Sequence, residues 1–508
     1  MVIDYSTPLQ YILALLPETV LTVWAMIVLL ADLFERSEQS EGQAGSIIPW
    51  LTLAGIVLAA IANGWLLQFH EANATGMIAL DGFRVFSNYL FLLAAALFIL
   101  ISGRYLEREH LRHGELYVLV LLTTVGMMFF AGTRDLILIF LGLELMSIGV
   151  YVLTGLNRRD RRSAEAALKY FLLGAFSSAF FLFGIALVYG GTGSVNLTRI
   201  AQVVAQHGSG TLSPLLFGGA GLLAVGFGFK VAAVPFHMWT PDAYEGAPAP
   251  VTAFMAAAVK AAAFAAFLRV FLTAFQGLYS TWAVVAFWLA IATMVVANLT
   301  ALVEGNVKRM LAYSSIAHAG YLLVALTAGT AMGAASFLFY LVAYTLMTMG
   351  AFAVVLVVGR EGELKQDVHW YSGLGWEKPV LGVTMTIFLF SLAGVPATAG
   401  FIGKFFILRA AVERGQGMIF LAVILVLASL VSYWYYLRVA WYMWFRPSEE
   451  GSGIASIAVP GGVRVALVTT AVLVLVLGIF PGLLLPVAEH SASTLTAAAS
   501  SLAGMARP

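Results

Sequence analysis

The chain has 508 residues, of which 61% are hydrophobic and only 10% charged, and its mean hydropathy is +0.93. Soluble domains carry roughly 45–50% apolar and about 25% charged residues, so this composition excludes a soluble globular fold and indicates an integral membrane protein. A formal charge of +1 excludes a basic nucleic-acid-binding face, and the absence of cysteine excludes disulfides, thiolate catalysis, Cys-ligated zinc and iron–sulfur ligation within this chain.

Residues 1–35 contain no Lys or Arg, unlike the basic start of a signal peptide. The apolar run 9–33 exceeds the roughly 20 residues that cross a bilayer, and it is read as the first span. Further runs follow at 48–69, 84–103, 116–132, 135–156, 164–190, 213–237, 248–275, 281–303, 308–328, 333–359, 379–408, 416–444 and 463–487. The expectation is an all-α integral membrane protein of about 14 transmembrane helices. Alternating barrel-type strands are absent. The seventh run passes into a polar, proline-rich stretch from Thr240 to Pro250, and the twelfth carries Gly394, Pro396 and Gly400.

Basic residues set an orientation. The loops joining spans 1/2, 3/4, 5/6 and onward in that alternation hold 15 Lys and Arg. The opposite loops, helix ends and tails hold 7: Arg84, Arg134, Arg199, Arg269, Arg409, Arg414 and Arg507. The positive-inside rule then places both termini outside. Five basic residues remain within spans: Lys169, Lys230, Lys260, Lys404 and Arg438.

Val234-Pro235 interrupts span 7 and Val395-Pro396 interrupts span 12. Five spans separate them, an odd number, so the two halves are expected in opposite orientations. Paired broken helices of this kind mark inverted-repeat transporters, with the ion site near the breaks. The plainer reading is two proline kinks. The expected organisation is helices 1–3 over 1–115, a first repeat over 116–277 (helices 4–8), a second inverted repeat over 278–446 (helices 9–13), and helix 14 with a tail over 447–508.

An ionisable side chain inside a span costs roughly 2.5–3.5 kcal/mol on insertion scales. Glu144 follows Arg134 by ten residues, about 15 Å of helix and half the hydrocarbon thickness. Lys230, Lys260 and Lys404 lie on three further spans. Burial moves acids and lysines toward neutral pH, where a group can load and unload a proton; the alternative is a static ion pair between helices. Glu144 and Lys230 are expected within direct or water-bridged reach of each other, since either alone is an uncompensated charge. Lys169 lies close enough to the span end to snorkel outward. His237 and His318 titrate near neutrality and suit a relay, although each also reads as a satisfied core histidine. Arg438 is read as partly interfacial. Gly403-Lys404 lacks the first glycine of a phosphate loop, and Gly190-Gly191-Thr192-Gly193 follows no strand. No histidine pair has haem or zinc spacing.

Two long motifs carry a resemblance. Phe229-Lys230-Val231-Ala232-Ala233-Val234-Pro235-Phe236-His237-Met238-Trp239-Thr240-Pro241-Asp242-Ala243-Tyr244-Glu245-Gly246-Ala247-Pro248 and Asn306-Val307-Lys308-Arg309-Met310-Leu311-Ala312-Tyr313-Ser314-Ser315-Ile316-Ala317-His318-Ala319-Gly320-Tyr321 resemble the antiporter-like membrane subunits of respiratory complex I (NADH-quinone oxidoreductase, NDH-1). The stretches Glu165–Phe176 and Leu392–Phe405 are similar to its N-type branch. Lysine at 404 fits that branch, and the lateral helix of the L-type branch is missing. Val259 replaces a proline that many relatives place before the span-8 lysine.

The resemblance implies specific roles. Glu144 and Lys230 form the ion pair of the first half-channel, Lys260 is the central relay lysine and Lys404 the exit-side lysine, with His237, His318 and Lys169 as further relay candidates. It implies a proton-translocating subunit of an enzyme whose NAD, FMN, iron–sulfur clusters and quinone are all held by other membrane and peripheral subunits, with no cofactor or metal in this chain. The implied location is the bacterial inner membrane, multi-pass, both termini periplasmic. The rival classes are a subunit of a multi-subunit cation/proton antiporter or membrane-bound hydrogenase, and a structural membrane spacer.

Overall fold

The computed structural model describes residues 2–38, 47–71, 76–111, 114–359, 361–364, 366–448, 454 and 457–505. Among them the regular structure is helical, apart from a two-residue parallel pairing of Val2–Ile3 with His70–Glu71 and three isolated bridges. In chain order the helices are α1 (Pro8–Ala14), α2 (Leu16–Glu38), α3 (Ile48–Trp65), α4 (Gly82–Arg108), α5 (Glu115–Gly132), α6 (Leu136–Thr154), α7 (Arg161–Thr192), α8 (Leu197–Thr211), α9 (Pro214–Val231), α10 (Trp239–Gly246) and α11 (Ala249–Phe254). A π turn, Met255–Val259, joins α11 to α12 (Lys260–Thr273). Then come α13 (Tyr279–Val303), α14 (Val307–Ala328), α15 (Ala331–Gly359), α16 (Leu374–Glu377), α17 (Pro379–Ala393), α18 (Ala399–Arg414), α19 (Gln416–Phe445), α20 (Gly461–Ile479) and α21 (Leu485–Met505).

Among the described residues, thirteen helical segments are long and apolar enough to cross a membrane. The remaining expected span, 379–408, is divided into α17 and α18. Local chemistry sets many starts: the side chains of Asp81, Asp135, Asp160, Asn196 and Asn306 each accept from backbone N–H groups of the helix that follows, satisfying donors that have no partner within the helix. The final helix differs from expectation. The run 463–487 stops at Ile479, and after the Phe480–Leu484 turn α21 packs against α4, α12 and α15, burying Ala488, Ser491, Ala492 and Leu495. Hydropathy is continuous across that turn, and Pro481-Gly482 marks it. Arg507 lies outside the described residues.

The segment α11–α12 and helices α14 and α15 are buried on every side. Helices α2, α7, α13 and α19 keep one apolar face outward, with Phe34, Phe176, Trp288 and Trp434 among the exposed side chains. Around this core helices approach closely where residues are small. A Cβ on Gly142 would lie 2.5 Å from the Phe130 backbone nitrogen, so the α5–α6 contact requires glycine.

Charges gather at the two ends of the bundle. At one end three arginines and three acids form a buried cluster. Arg84 contacts both Glu18 oxygens at 2.8 Å, Arg269 grips Asp81 at 2.7 and 2.9 Å, and Arg134 bonds Glu71 and approaches Asp81 at 3.6 Å. At the other end Arg309 pairs with Asp242 at 3.1 Å, Glu245 at 2.7 Å and Glu304 at 3.3 Å, and Lys308 meets Glu363 at 2.6 Å.

Candidate functional site

The two breaks are built alike. Helix α9 ends at Val231, and its cap residue Ala232 has φ +61°. Helix α17 ends at Ala393, and Gly394 has φ +96°. In each case a proline three residues or fewer downstream, Pro235 or Pro396, cannot continue the helix. Thr293 of α13 accepts from the Val234 N–H at 3.0 Å, and Trp239 Nε1 caps the Phe229 carbonyl at 3.0 Å.

Each break carries a lysine. Lys404 Nζ donates to the Leu392 and Ala393 carbonyls, both at 2.9 Å. These are carbonyls left open at the end of α17, where the helix dipole is negative. The ammonium also lies 4.8 Å from the Tyr321 ring centre. A Cβ on Gly394 would come 3.2 Å from Lys404 Cδ and 3.4 Å from its Nζ, at a φ that side chains rarely adopt. We expect Gly394→Ala to cost about 1–2 kcal/mol of stability, which thermal unfolding of the purified protein checks.

Lys230 is buried in the last turn of α9. Its Nζ donates to Ser147 Oγ at 2.8 Å and Tyr151 OH at 3.4 Å, between the rings of Tyr151 and Tyr170 at 5.3 and 5.5 Å. Of the expected direct or water-bridged approach to Glu144, the direct pair is not formed: no ion pair joins the two among the described residues. Glu144 instead accepts from Ser178 of α7. The cause is register on α6. Ser147 and Tyr151 stand about one and two turns beyond Glu144, and Lys230 reaches those turns, while Glu144 occupies the half-buried rim beside exposed Leu141, Leu145 and Ile148.

Lys260 follows the π turn, a feature that recurs at functional sites. The chain continues helically through Val259. Lys260 is 2% exposed, and its Nζ donates to the Ser315 carbonyl at 3.0 Å and hydroxyl at 2.8 Å, with the Tyr244 ring centre 5.9 Å away. One turn along α14, His318 is buried between two phenols: Nδ1 to Tyr340 OH at 2.6 Å and Nε2 to Tyr436 OH at 3.1 Å. Tyr436 also bonds Ser314 and packs on Tyr435, which donates to Asn298 at 2.9 Å. Asn298 reaches Tyr321 at 3.5 Å, the ring beneath Lys404. A polar row thus lies between the lysines: Lys260 on Ser315, then its chain neighbour Ser314, Tyr436 with His318, Tyr435, Asn298, and Tyr321 beneath Lys404.

The remaining candidates lie outside that row. His237 is half-buried in the first break, and its Nδ1 is buried with no hydrogen-bond partner among the described residues. Lys169 is exposed, bonded to Glu165 and Asp242 at 2.8 Å each, as snorkelling requires. Burial alone would raise the Asp242 carboxyl, but hydrogen bonds from Lys169 and Arg309 outweigh it and hold it below the usual carboxylate range. Arg438 donates to the Leu302 and Glu304 carbonyls at the end of α13. Sequence reasoning did not single out Ser147, Ser315, Tyr340, Tyr436 or Asn298. Ser147 follows the candidate Glu144 by three residues and Ser315 lies within the Asn306–Tyr321 motif, whereas the tyrosines converge from distant helices and leave no local signal.

Residues 133–432 match the family model described as NADH:quinone oxidoreductase/Mrp antiporter, TM. A Trichlorobacter lovleyi protein named NADH-quinone oxidoreductase subunit N is 50% identical over 94% of this chain and 96% of its own length. Among solved structures, a chain of respiratory complex I from Thermus thermophilus with bound aureothin is 37% identical, with a TM-score of 0.76 over 93% of this chain and 99% of that one. A chain of the Mrp complex from Dietzia sp. DQ12-45-1b, at 21% identity and a TM-score of 0.81 over 98% of this chain and 99% of that one, shares the fold. With half its residues identical across nearly its whole length to a subunit N, this chain belongs to the NADH-quinone oxidoreductase subunit N family.

Proposed function

We propose that this chain is the proton-translocating membrane subunit of an NADH-quinone oxidoreductase. Electron transfer from NADH to quinone takes place on partner subunits, which hold the FMN and iron–sulfur clusters, and its energy moves protons through this chain. The observation that carries the reading is the buried row from Lys260 to Lys404, with Lys230 buried just ahead of the first break, in the last turn of α9. Each of these lysines is bonded to hydroxyls or carbonyls. An ammonium held by neutral acceptors can surrender its proton without leaving an uncompensated carboxylate behind, unlike one locked in a buried ion pair.

In this reading Glu144 and Lys230 serve the first half-channel, exchanging charge across Ser147 and Ser178. Lys260 is the central relay, His318 passes protons through Tyr436 and Tyr340, and Lys404 serves the exit. His237 and Lys169 are auxiliary. The two halves, 116–277 and 278–446, are inverted repeats, and both termini face the periplasm of a bacterial inner membrane. The 50%-identical subunit N favours this over an antiporter or hydrogenase subunit. The experiment is a tagged copy of the chain purified in mild detergent. Copurifying flavin- and iron-bearing partners with NADH-quinone activity are expected. A stable complex that lacks NADH-oxidising partners would refute it.

A further inference from the structure

Two helices meet at the Lys260–Ser315 contact, and both are tied at their starting ends to one carboxylate. Glu363 lies in the turn after α15 with φ +48°, a left-handed conformation uncommon for a residue with a side chain. It is 8% exposed. Its Oε1 accepts from Tyr105 OH of α4 at 2.5 Å and from the Ala249 N–H at 2.7 Å. Its Oε2 accepts from Lys308 Nζ at 2.6 Å and Gln366 Nε2 at 3.4 Å. Lys308, fully buried, also donates to the carbonyls of Glu245 at 3.0 Å and Ala247 at 2.5 Å.

These bonds have a direction. Ala249 opens α11, and the helix runs on through the π turn to Lys260 without a break. Lys308 lies in the first turn of α14, seven residues and about 10 Å before Ser315. One carboxylate therefore sets the height of both helices, and their side chains meet as Lys260 Nζ on Ser315. The other charged groups near it among the described residues are Arg108, Glu109, Asp160, Arg162 and Glu245, with Arg162 and Glu109 bonded to Gly362 next in the chain. Burial alone would raise the Glu363 carboxyl, but Lys308, Tyr105 and the Ala249 N–H hold it below the usual range, so it carries its charge at neutral pH.

We infer that Glu363 is a positioning residue for proton transfer, acting through Ala249 and Lys308 to hold Ser315 against Lys260. This rests on the relay reading of Lys260. The test compares variants in the assembled complex, with turnover and pH-gradient formation normalised to complex and measured across pH. Glu363→Gln alone strands the Lys308 charge and is expected to lower assembly. The double variant Glu363→Gln/Lys308→Met buries no unpaired charge and is expected to assemble. We expect its turnover to fall about tenfold, since small misplacements cost that much or more. We also expect the alkaline limb of its pH profile to move by about half a unit or more, because hydrogen bonding sets a buried group's proton affinity. Tyr105→Phe, which removes one bond and no charge, should move the profile in the same sense by less.

A double variant at the wild-type rate, or one that is slower with an unmoved profile, overturns the positioning role. If the double variant fails to assemble, an unmoved profile in Tyr105→Phe overturns it equally. A Lys260→Met complex that pumps normally would instead refute the relay reading beneath it. An inactive Lys260→Met beside an unmoved Glu363→Gln/Lys308→Met refutes the positioning role alone.

Discussion

Lys260→Met is expected to leave the oxidoreductase assembled and to reduce its proton pumping about a hundredfold, the scale of a lost general acid–base group. Lys260 bonds only to the carbonyl and hydroxyl of Ser315, and no carboxylate pairs with it among the described residues. Methionine keeps the length and apolar character of the stem, fits among the surrounding alanines of α12, and strands no opposite charge. The Ser315 hydroxyl can turn to its own helix backbone. Removing a buried charge also removes its desolvation cost. Assembly, followed by native electrophoresis, should therefore be kept, while quinone-linked pH-gradient formation is lost.

Asp81→Asn is expected to act in the opposite way, on stability rather than chemistry. Asp81 receives two bonds from Arg269 at 2.7 and 2.9 Å, lies 3.6 Å from Arg134 and accepts the Arg84 N–H at the start of α4. Asparagine turns a balanced cluster of three arginines and three acids into one with an excess positive charge, and presents an amide N–H to a guanidinium. Breaking a buried pair in this way costs about 3–5 kcal/mol. The measurement is the thermal midpoint of the purified complex and the amount of subunit retained in membranes. Burial would raise the Asp81 carboxyl, but Arg269 and Arg134 hold it far below the usual range. A lowered folded-state value gives stability that is present above the unfolded value of about 3.9. It declines as pH falls below that unfolded value and is gone once pH has fallen through the much lower folded value. This contribution should therefore be constant from neutral pH down to about pH 5.

Much of this architecture is legible in the sequence, for physical reasons that can be named. A bilayer demands long apolar helices, so runs such as 135–156 and 308–328 reappear as α6 and α14 within a few residues at their ends. Pro235 and Pro396 give away both breaks, because proline cannot donate the bond a continuing helix needs. Buried lysines stand out against a span that should hold none. The illegible parts depend on rotation and distance. Hydropathy does not say on which turn of α6 Lys230 lands, so the expectation is a direct or water-bridged approach to Glu144, and the bond found is to Ser147. Arg84, Arg134 and Arg269 looked like residues of span ends; only the folded bundle brings them to Glu18, Glu71 and Asp81. The phenols about His318 come from α15 and α19, separated from it by 22 and 118 residues. The turn before α21 hides within one continuous apolar run.

The central claim is that Lys260 gives up and regains a proton. Arginine at that position tests it, because a guanidinium keeps its charge and its donors at every accessible pH but cannot complete a load–release cycle. The measurement is pH-gradient formation driven by NADH in membranes carrying Lys260→Arg, normalised to assembled complex. The account predicts severe loss of pumping, comparable to Lys260→Met, with the complex assembled. Pumping at the wild-type level in Lys260→Arg would show a lysine that serves only as a fixed positive charge, and would contradict it.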